Sequence, residues 1–414
     1  MHVPSHAARN AMPQGIVVVS LTLLLGLQPI TTDLYLPALP LLAHALDAPA
    51  SSAQLTLSAL IICFGVAQLF WGPVSDRIGR RPALLAGLGL YCIAAIGAVL
   101  APTMGWLIAA RTLQGVGMGA AVACGRSVIR DLYEPREGAR VMSQALGGLG
   151  IFAMLGPFVG AVAARLVDWR AALALVALFG VVTLAFVATR FVETAPEKNP
   201  RATHFGQIAR NWWLIGRHPT FVAWTALTCA TWCGLFALLS TSSFVFIDVL
   251  GTGQVTYGLL LASSSLFYAS GTLLCRYLLS RTNASRTVAI GGAFSLVGGV
   301  SLALMSLAGV RSVAAFMPAI WLYAIGHGIH QPCGQAGVTS PFPDKAGTAA
   351  SLSGFAMMAS AFVVGLALGR SMNGTVFPLT LGVGAFGVLV ALVAWTLVRA
   401  HGDRPVHAPA FTRA

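Results

Sequence analysis

Charged side chains make up only 9% of this 414-residue chain, against about 25% in a soluble globular domain. A chain so long and so poor in charge has no means of covering its own surface in water. A water-soluble enzyme or binding module is therefore excluded. Acids are scarcer still, twelve Asp and Glu against 25 Lys and Arg. No G-x-x-x-x-G-K-[ST] run occurs, so ATP is not indicated as a direct energy source. No cofactor is implied either. What the chain has in excess is apolar residues, 57% of the total, with mean hydropathy +0.80.

Apolar windows of about 20 residues, the length that crosses a bilayer as a helix, lie at 15–36, 53–74, 83–101, 105–125, 142–164 and 170–190. Six more lie at 219–240, 256–278, 287–307, 313–334, 346–369 and 376–398. The expected fold class is an all-α polytopic membrane protein with twelve transmembrane helices. The charges test that number, because Lys and Arg collect in cytoplasmic loops. With the N-terminus inside, the inner segments hold Arg9, the cluster Arg77, Arg80 and Arg81, then Arg126, Arg130, Arg136 and Arg140. They also hold the basic residues from Arg190 to Arg217, then Arg276, Arg281, Arg286, Lys345 and Arg399. The outer loops hold only Arg165, Arg170, Arg311 and Arg370. A wrong number of spans would scramble this alternation, so both termini are expected in the cytoplasm.

The net charge of +13 and pI near 10.1 then reflect basic residues on the anionic inner face of the membrane, not nucleic-acid binding. No removable signal peptide is expected, because the first apolar run is too long and lacks a cleavage site before the next span. The seven cysteines fall within or beside the spans. Cys229 and Cys233, one turn apart, read as packing.

The longest polar interruption, 191–218, separates six spans from six. The chain thus divides into an N-terminal six-helix half (1–190), a cytoplasmic linker (191–218), a C-terminal six-helix half (219–398) and a cytoplasmic tail (399–414). Glycine is abundant, 45 residues, and clusters inside spans, as at Gly115, Gly117 and Gly119. Small residues let transmembrane backbones approach closely. That suits helices that slide, and suits static packing equally well.

The densest local pattern is GPVSDRIGRRPAL, residues 72–84, between spans two and three. Gly72 allows close helix approach and Gly79 a tight turn. Pro82 suits the first turn of the next helix. Asp76, the lone acid among three arginines, is expected to ion-pair or to face a helix N-terminus. In span four, Arg111, Gln114 and Gly115 share one helix face at i, i+3 and i+4, and Gln114 is a candidate to line a substrate cavity. An intramembrane arginine is functional by default, with snorkelling to the interface the alternative. In span five, Pro157 within Gly156-Pro157-Phe158-Val159-Gly160 frees a backbone carbonyl and bends the helix.

These segments resemble the major facilitator superfamily, whose signature loop reads G-x-x-x-D-R-x-G-R-R. The resemblance implies a cytoplasmic gate formed by Gly72, Asp76, Arg77, Gly79, Arg80 and Arg81, with Asp131 as the acidic partner of one of the arginines. Arg111-Thr-Leu-Gln114-Gly115 is similar to the family's R-x-x-Q-G segment, linked to proton coupling. Gly156, Pro157 and Gly160 resemble its antiporter signature, although Ala161 replaces the last glycine and Phe152 stands where another is usual. TDLYLPALP at 32–40, AGTAASLSG at 346–354 and TSSFVF at 241–246 resemble the Bcr/CflA-type branch of drug:proton antiporters. A proline is usual there at Ser243.

Asp33 is the one acid well inside a predicted span. A buried carboxylate takes up protons more readily and a nearby cation opposes this, so competition between a proton and a cationic substrate would give antiport. Counted from Ile16, Asp33 lies about 26 Å along a helix, towards the outer side. The other reading is therefore a helix-end carboxylate among the outer headgroups, with no role in coupling. Pro29, one turn earlier, is placed to open a kink that admits water. His327 and His330 share a face of span ten and titrate near neutrality. They line a cavity or make a helix–helix hydrogen bond; no third ligand for a zinc site follows them. Trp224, Trp232 and Phe236 form a stripe on span seven that suits flat, lipophilic or cationic compounds, or plain packing.

The function expected is a secondary transporter of the bacterial inner membrane that exports drug-like molecules in exchange for protons by alternating access. The resemblance implies antibiotic resistance, a lipophilic or cationic small-molecule substrate and a monomer in the lipid bilayer. The alternative within transport is a symporter or uniporter for a sugar or amino-acid derivative. An enzyme would need a clustered catalytic constellation, and a sensor an output domain.

Overall fold

The computed structural model describes residues 12–195, 198, 200 and 203–402. Arg9, Arg201 and the tail from 403 onwards lie outside the described residues. Among the described residues twelve helices are long and apolar enough to cross a membrane. They are Gln14–Ala45, Ala50–Ile78, Arg80–Val99, Met104–Leu132, Arg140–Leu166 and Trp169–Arg190 in the first half. The second half has Pro219–Val249, Gln254–Leu279, Ala284–Leu307, Val313–Thr339, Ala346–Ser371 and Phe377–His401.

Several boundaries move from their expected places. The first span does not stop at residue 36. Its regular helix Gln14–Asp33 passes through a 3₁₀ turn, Leu36–Ala38, into a further helix Leu39–Ala45. Pro37 and Pro40 lack the N–H that an unbroken helix would use, so the chain changes helical type and continues. The segment 72–81, expected as a loop, is helical on both sides of one residue. The second span runs to Ile78 and the third starts at Arg80. Gly79 alone turns the chain, at φ 109°, a conformation that glycine tolerates and L side chains do not. Arg126 and Arg130, counted in an inner segment beyond span four, lie instead in the last turns of the fourth helix, as does Asp131. Within 191–218 the chain forms a helix, Phe205–Gly216, that apolar-window counting passed over because it is short.

The first six spans pack among themselves, as do the last six, with the second span against the fourth and eleventh and the fifth against the first and eighth. The two sets therefore meet along two seams, second against eleventh and fifth against eighth. Glycine permits the closest approaches. A Cβ at Gly117 would lie 2.6 Å from both the Gly87 carbonyl oxygen and the Tyr91 nitrogen. In a bilayer, where apolar burial gives helices no reason to associate, such packing holds them together. All seven cysteines are free.

Candidate functional site

Between the two helix sets lies a cavity of about 240 Å³, walled by the first, fifth, seventh, eighth and tenth spans. Asp33 is in its lining, with Gln28, Pro157, Trp232, Tyr268 and His327. It is the last residue of a 20-residue helix inside a 32-residue span, so it sits away from either end. The side chain is half-buried, and Thr32 Oγ1 donates to its Oδ1 at 2.6 Å. Two further polar atoms among the lining residues are buried without a partner, Trp232 Nε1 and Gln331 Oε1. A donor, an acceptor and a carboxylate thus lie around one apolar space.

Arg111 is fully buried beside this cavity without lining it. Its Nη1 donates to Gln114 Oε1 and its Nη2 to the Thr31 carbonyl, each at 2.7 Å. The guanidinium carbon lies 4.3 Å from the centre of the Tyr35 ring. Tyr91 in turn shares a 2.6 Å hydrogen bond with Thr31 Oγ1. No ion pair joins Arg111 to Asp33 among the described residues. The cation holds the backbone on which the carboxylate is mounted. Gln114, expected to face substrate, serves Arg111 instead.

The two histidines part company. His327 lines the cavity, shares a 2.9 Å hydrogen bond from Nδ1 with Thr231 Oγ1, and tilts towards Trp232 and Tyr268 with ring centres 6.1 and 5.5 Å away. His330 turns to the ninth span and donates from Nε2 to the Val288 carbonyl at 3.1 Å. Of the aromatic stripe, only Trp232 reaches the cavity. Phe236 is fully buried, and a Cβ at Gly365 of the eleventh span would lie 2.9 Å from its ring. Trp224 packs over Gly337. Sequence reading missed Gln28, Tyr268 and Gln331. Gln331 lies one turn after His327, a signal that the histidine pair obscured.

The fifth span presents Pro157 to the cavity and Gly160 to the first span. Gly160 lies flush against the Leu34 carbonyl, directly after Asp33, and leaves no room for a Cβ. The two departures from the antiporter pattern are each matched by a glycine elsewhere. Phe152 packs on Gly26, where a Cβ would come within 2.7 Å of its ring. Ala161 packs on Gly258 of the eighth span, 2.8 Å from the position a Cβ would take there.

At the Arg-rich end, Arg80 is buried and donates from Nε to Asp131 Oδ2 at 2.8 Å and from Nη1 to Ser75 Oγ at 2.6 Å. Asp76 approaches the same guanidinium at 2.5 Å. Arg77 reaches Thr203 Oγ1 at 3.1 Å, and Arg81 the Ala188 carbonyl at 2.9 Å. Glu193, which sequence reading missed, accepts the backbone N–H groups of Arg80 and Arg81 at 2.8 and 3.2 Å. It so caps the third span, where a carboxylate suits the positive end of the helix. Gly72 makes no close helix approach; it faces a second cavity of about 1030 Å³ that opens at this end. At the opposite end, Leu39–Ala45 of the first span touches the π-helical close of the seventh, Phe244–Val249.

A family model for the Major Facilitator Superfamily matches residues 21–366. Among curated relatives, the chloramphenicol resistance protein of Pseudomonas aeruginosa is 28% identical over 322 residues, covering 76% of this chain and 74% of the relative. Multidrug resistance protein D of Escherichia coli is 27% identical over 342 residues, 82% of this chain and 84% of its own. Solved structures align over most of their length. A D-xylose-proton symporter superposes with TM-score 0.73 at 17% identity, over 93% of this chain and 97% of that one. A peptide transporter POT in complex with sulfate gives 0.77 at 15%, over 96% and 98%. At such identities the likeness is one of fold.

Proposed function

Because the chain belongs to the Major Facilitator Superfamily, we propose that it expels drug-like small molecules in exchange for protons, by alternating access across the bacterial inner membrane. The single observation that carries this reading is Asp33, a carboxylate in the lining of the apolar cavity between the two helix sets. A charge held at such depth is costly and calls for a function. In one state of the cycle Asp33 binds a proton; in the other it faces the substrate, and the two compete. Lipophilic or cationic compounds suit a cavity that sets Trp232 and Tyr268 beside a carboxylate. Relatives named for chloramphenicol and multidrug resistance support the substrate class. A proton moving inward contributes about 2.3 kcal/mol per 100 mV.

The Arg-rich face is taken as cytoplasmic, so the large cavity there makes this the inward-facing state, with both termini inside. Residues 1–190 and 219–398 act as the two rocking bodies of a monomer, joined through 191–218. Arg80, Asp131 and Asp76 form the gate at this face, with Arg77 and Arg81 tying it to the linker and the sixth span.

The test is Asp33→Asn in an efflux-deficient host, with proton release followed in vesicles on adding chloramphenicol. The variant is expected to express and insert normally and to lose both drug efflux and drug-driven proton movement. Full efflux by a well-expressed Asn variant would overturn the assignment.

A further inference from the structure

The cavity at the Arg-rich end contains a cation that the proposed coupling does not use. Arg126, on the fourth span, lines the cavity and is exposed within it. Among the described residues it has no hydrogen bond or ion pair. An arginine in a transmembrane helix normally finds a partner, and here the space opposite it is open.

The surrounding charges do not supply one. Arg130, one turn further along, donates to Ser127 Oγ at 3.4 Å and lies against Gly347, where a Cβ would be 2.9 Å from its Nη1. Lys345 donates to Asn211 Oδ1 at 2.9 Å. Ala346, Gly347 and Thr348 bring the N-terminus of the 26-residue eleventh helix into the same wall, and that end of a helix carries positive charge. Among the described residues two acids face the cavity, Asp76 and Glu134. Asp76 is ion-paired with Arg80, and Glu134 set against Arg126, Arg130 and Lys345 leaves two positive charges and a helix end in excess. Between these polar groups lie Leu69, Ile129, Ile208 and Trp212. The space, about 1030 Å³, is at the upper end for a drug-sized ligand, roughly 300–1,000 Å³.

We propose that this cavity captures organic anions with an apolar body, and that Arg126 is the specificity-determining residue that pairs with their carboxylate, sulfonate or phosphate. Guanidinium groups recognise such oxyanions by paired, charge-assisted hydrogen bonds. The inference rests on the transport reading and extends its substrate class beyond neutral and cationic compounds. The anionic group comes from a free solute; the phosphate of an anionic lipid is the competing source.

The test compares chloramphenicol with its succinate monoester, the same body carrying one added carboxylate. Titration calorimetry would use full-length protein in phosphatidylcholine nanodiscs. The wild type is expected to bind the monoester about tenfold more tightly, with the advantage shrinking as salt rises. Arg126→Ala should bind both compounds with the affinity of the neutral one, and Arg126→Lys should keep part of the difference. Equal wild-type affinities, no binding of the monoester, or equal weakening of both compounds in Arg126→Ala would each overturn the proposal. So would phosphatidylglycerol that co-purifies with the wild type and not with Arg126→Ala, if the two chloramphenicols then bind alike. Wild-type protein that moves protons on adding chloramphenicol yet binds the two compounds alike would separate a failure here from a failure of Asp33 coupling.

Discussion

Arg111 Nη2 donates to the backbone carbonyl of Thr31 at 2.7 Å, two residues before Asp33 on the same helix. This intramembrane cation is therefore bound to the backbone beneath the carboxylate. With Gln114 on Nη1 and its central carbon over the Tyr35 ring, the guanidinium fills a site that uses its planar fork and its face together. A lysine supplies a point charge and cannot reproduce this set. Arg111→Lys is expected to lower drug-driven proton movement in vesicles by about tenfold or more, the loss of one or more charged hydrogen bonds worth about 1.5–3 kcal/mol each. Unchanged coupling in the Lys variant would show that only the charge matters.

Gly160 and Gly156 make a second, internally controlled test. A methyl at Gly160 would collide with the Leu34 carbonyl, while at Gly156 the nearest atom outside its own helix is the Leu34 nitrogen at 3.9 Å, an ordinary contact. Gly160→Ala must push the fifth span away from the first, an overpacking cost of about 1–3 kcal/mol. Its melting temperature and efflux rate are both expected to fall. Gly156→Ala should leave both within error of the wild type.

The contrast between those glycines marks what sequence can and cannot deliver. Twelve spans were legible because bilayer thickness acts on windows, and windows are local. The end of the first span was not. Pro37 and Pro40 look like stop signals, yet the chain changes helical type and continues to Ala45. Asp33 thus ends the first helix of a longer span, Gln14–Ala45, instead of standing near the span's end. Periodicity set His327 and His330 on one face, and Trp232 with Phe236 on another. One turn of helix is wide enough for neighbours on a face to meet different partners. The Glu193 cap on Arg80 and Arg81 joins positions more than a hundred residues apart, and no local pattern announces it.

Arg80 and Asp131 are both almost wholly buried. Removing one partner of a buried pair leaves the other uncompensated, at about 3–5 kcal/mol. Arg80→Ala is expected to lower the melting temperature strongly, because Asp131 and Ser75 both lose their donor. Asp131→Asn keeps an acceptor for Arg80 Nε, and Asp76 still faces the same guanidinium, so its fall should be smaller. A double-mutant cycle of the two, read by thermal melting in detergent, should return a coupling energy well above that of an exposed pair, about 0.2–1 kcal/mol.

The two histidines of the tenth span offer the sharpest separation of binding from stability. His327 faces the central cavity beside Trp232 and Tyr268, so His327→Ala removes cavity wall and should weaken drug binding while the protein melts normally. His330 holds the tenth span to the ninth through the Val288 carbonyl, in a contact so close that a Cβ at Gly291 would lie 2.8 Å from its Nε2. His330→Ala empties that contact and removes a buried interhelical hydrogen bond, a cost of about 0.5–1.5 kcal/mol. Its melting temperature should therefore drop, and the affinity of the protein that remains folded should match the wild type. Calorimetric titration with chloramphenicol beside thermal melts of both variants checks this, and the reverse pattern would assign the cavity wall to His330.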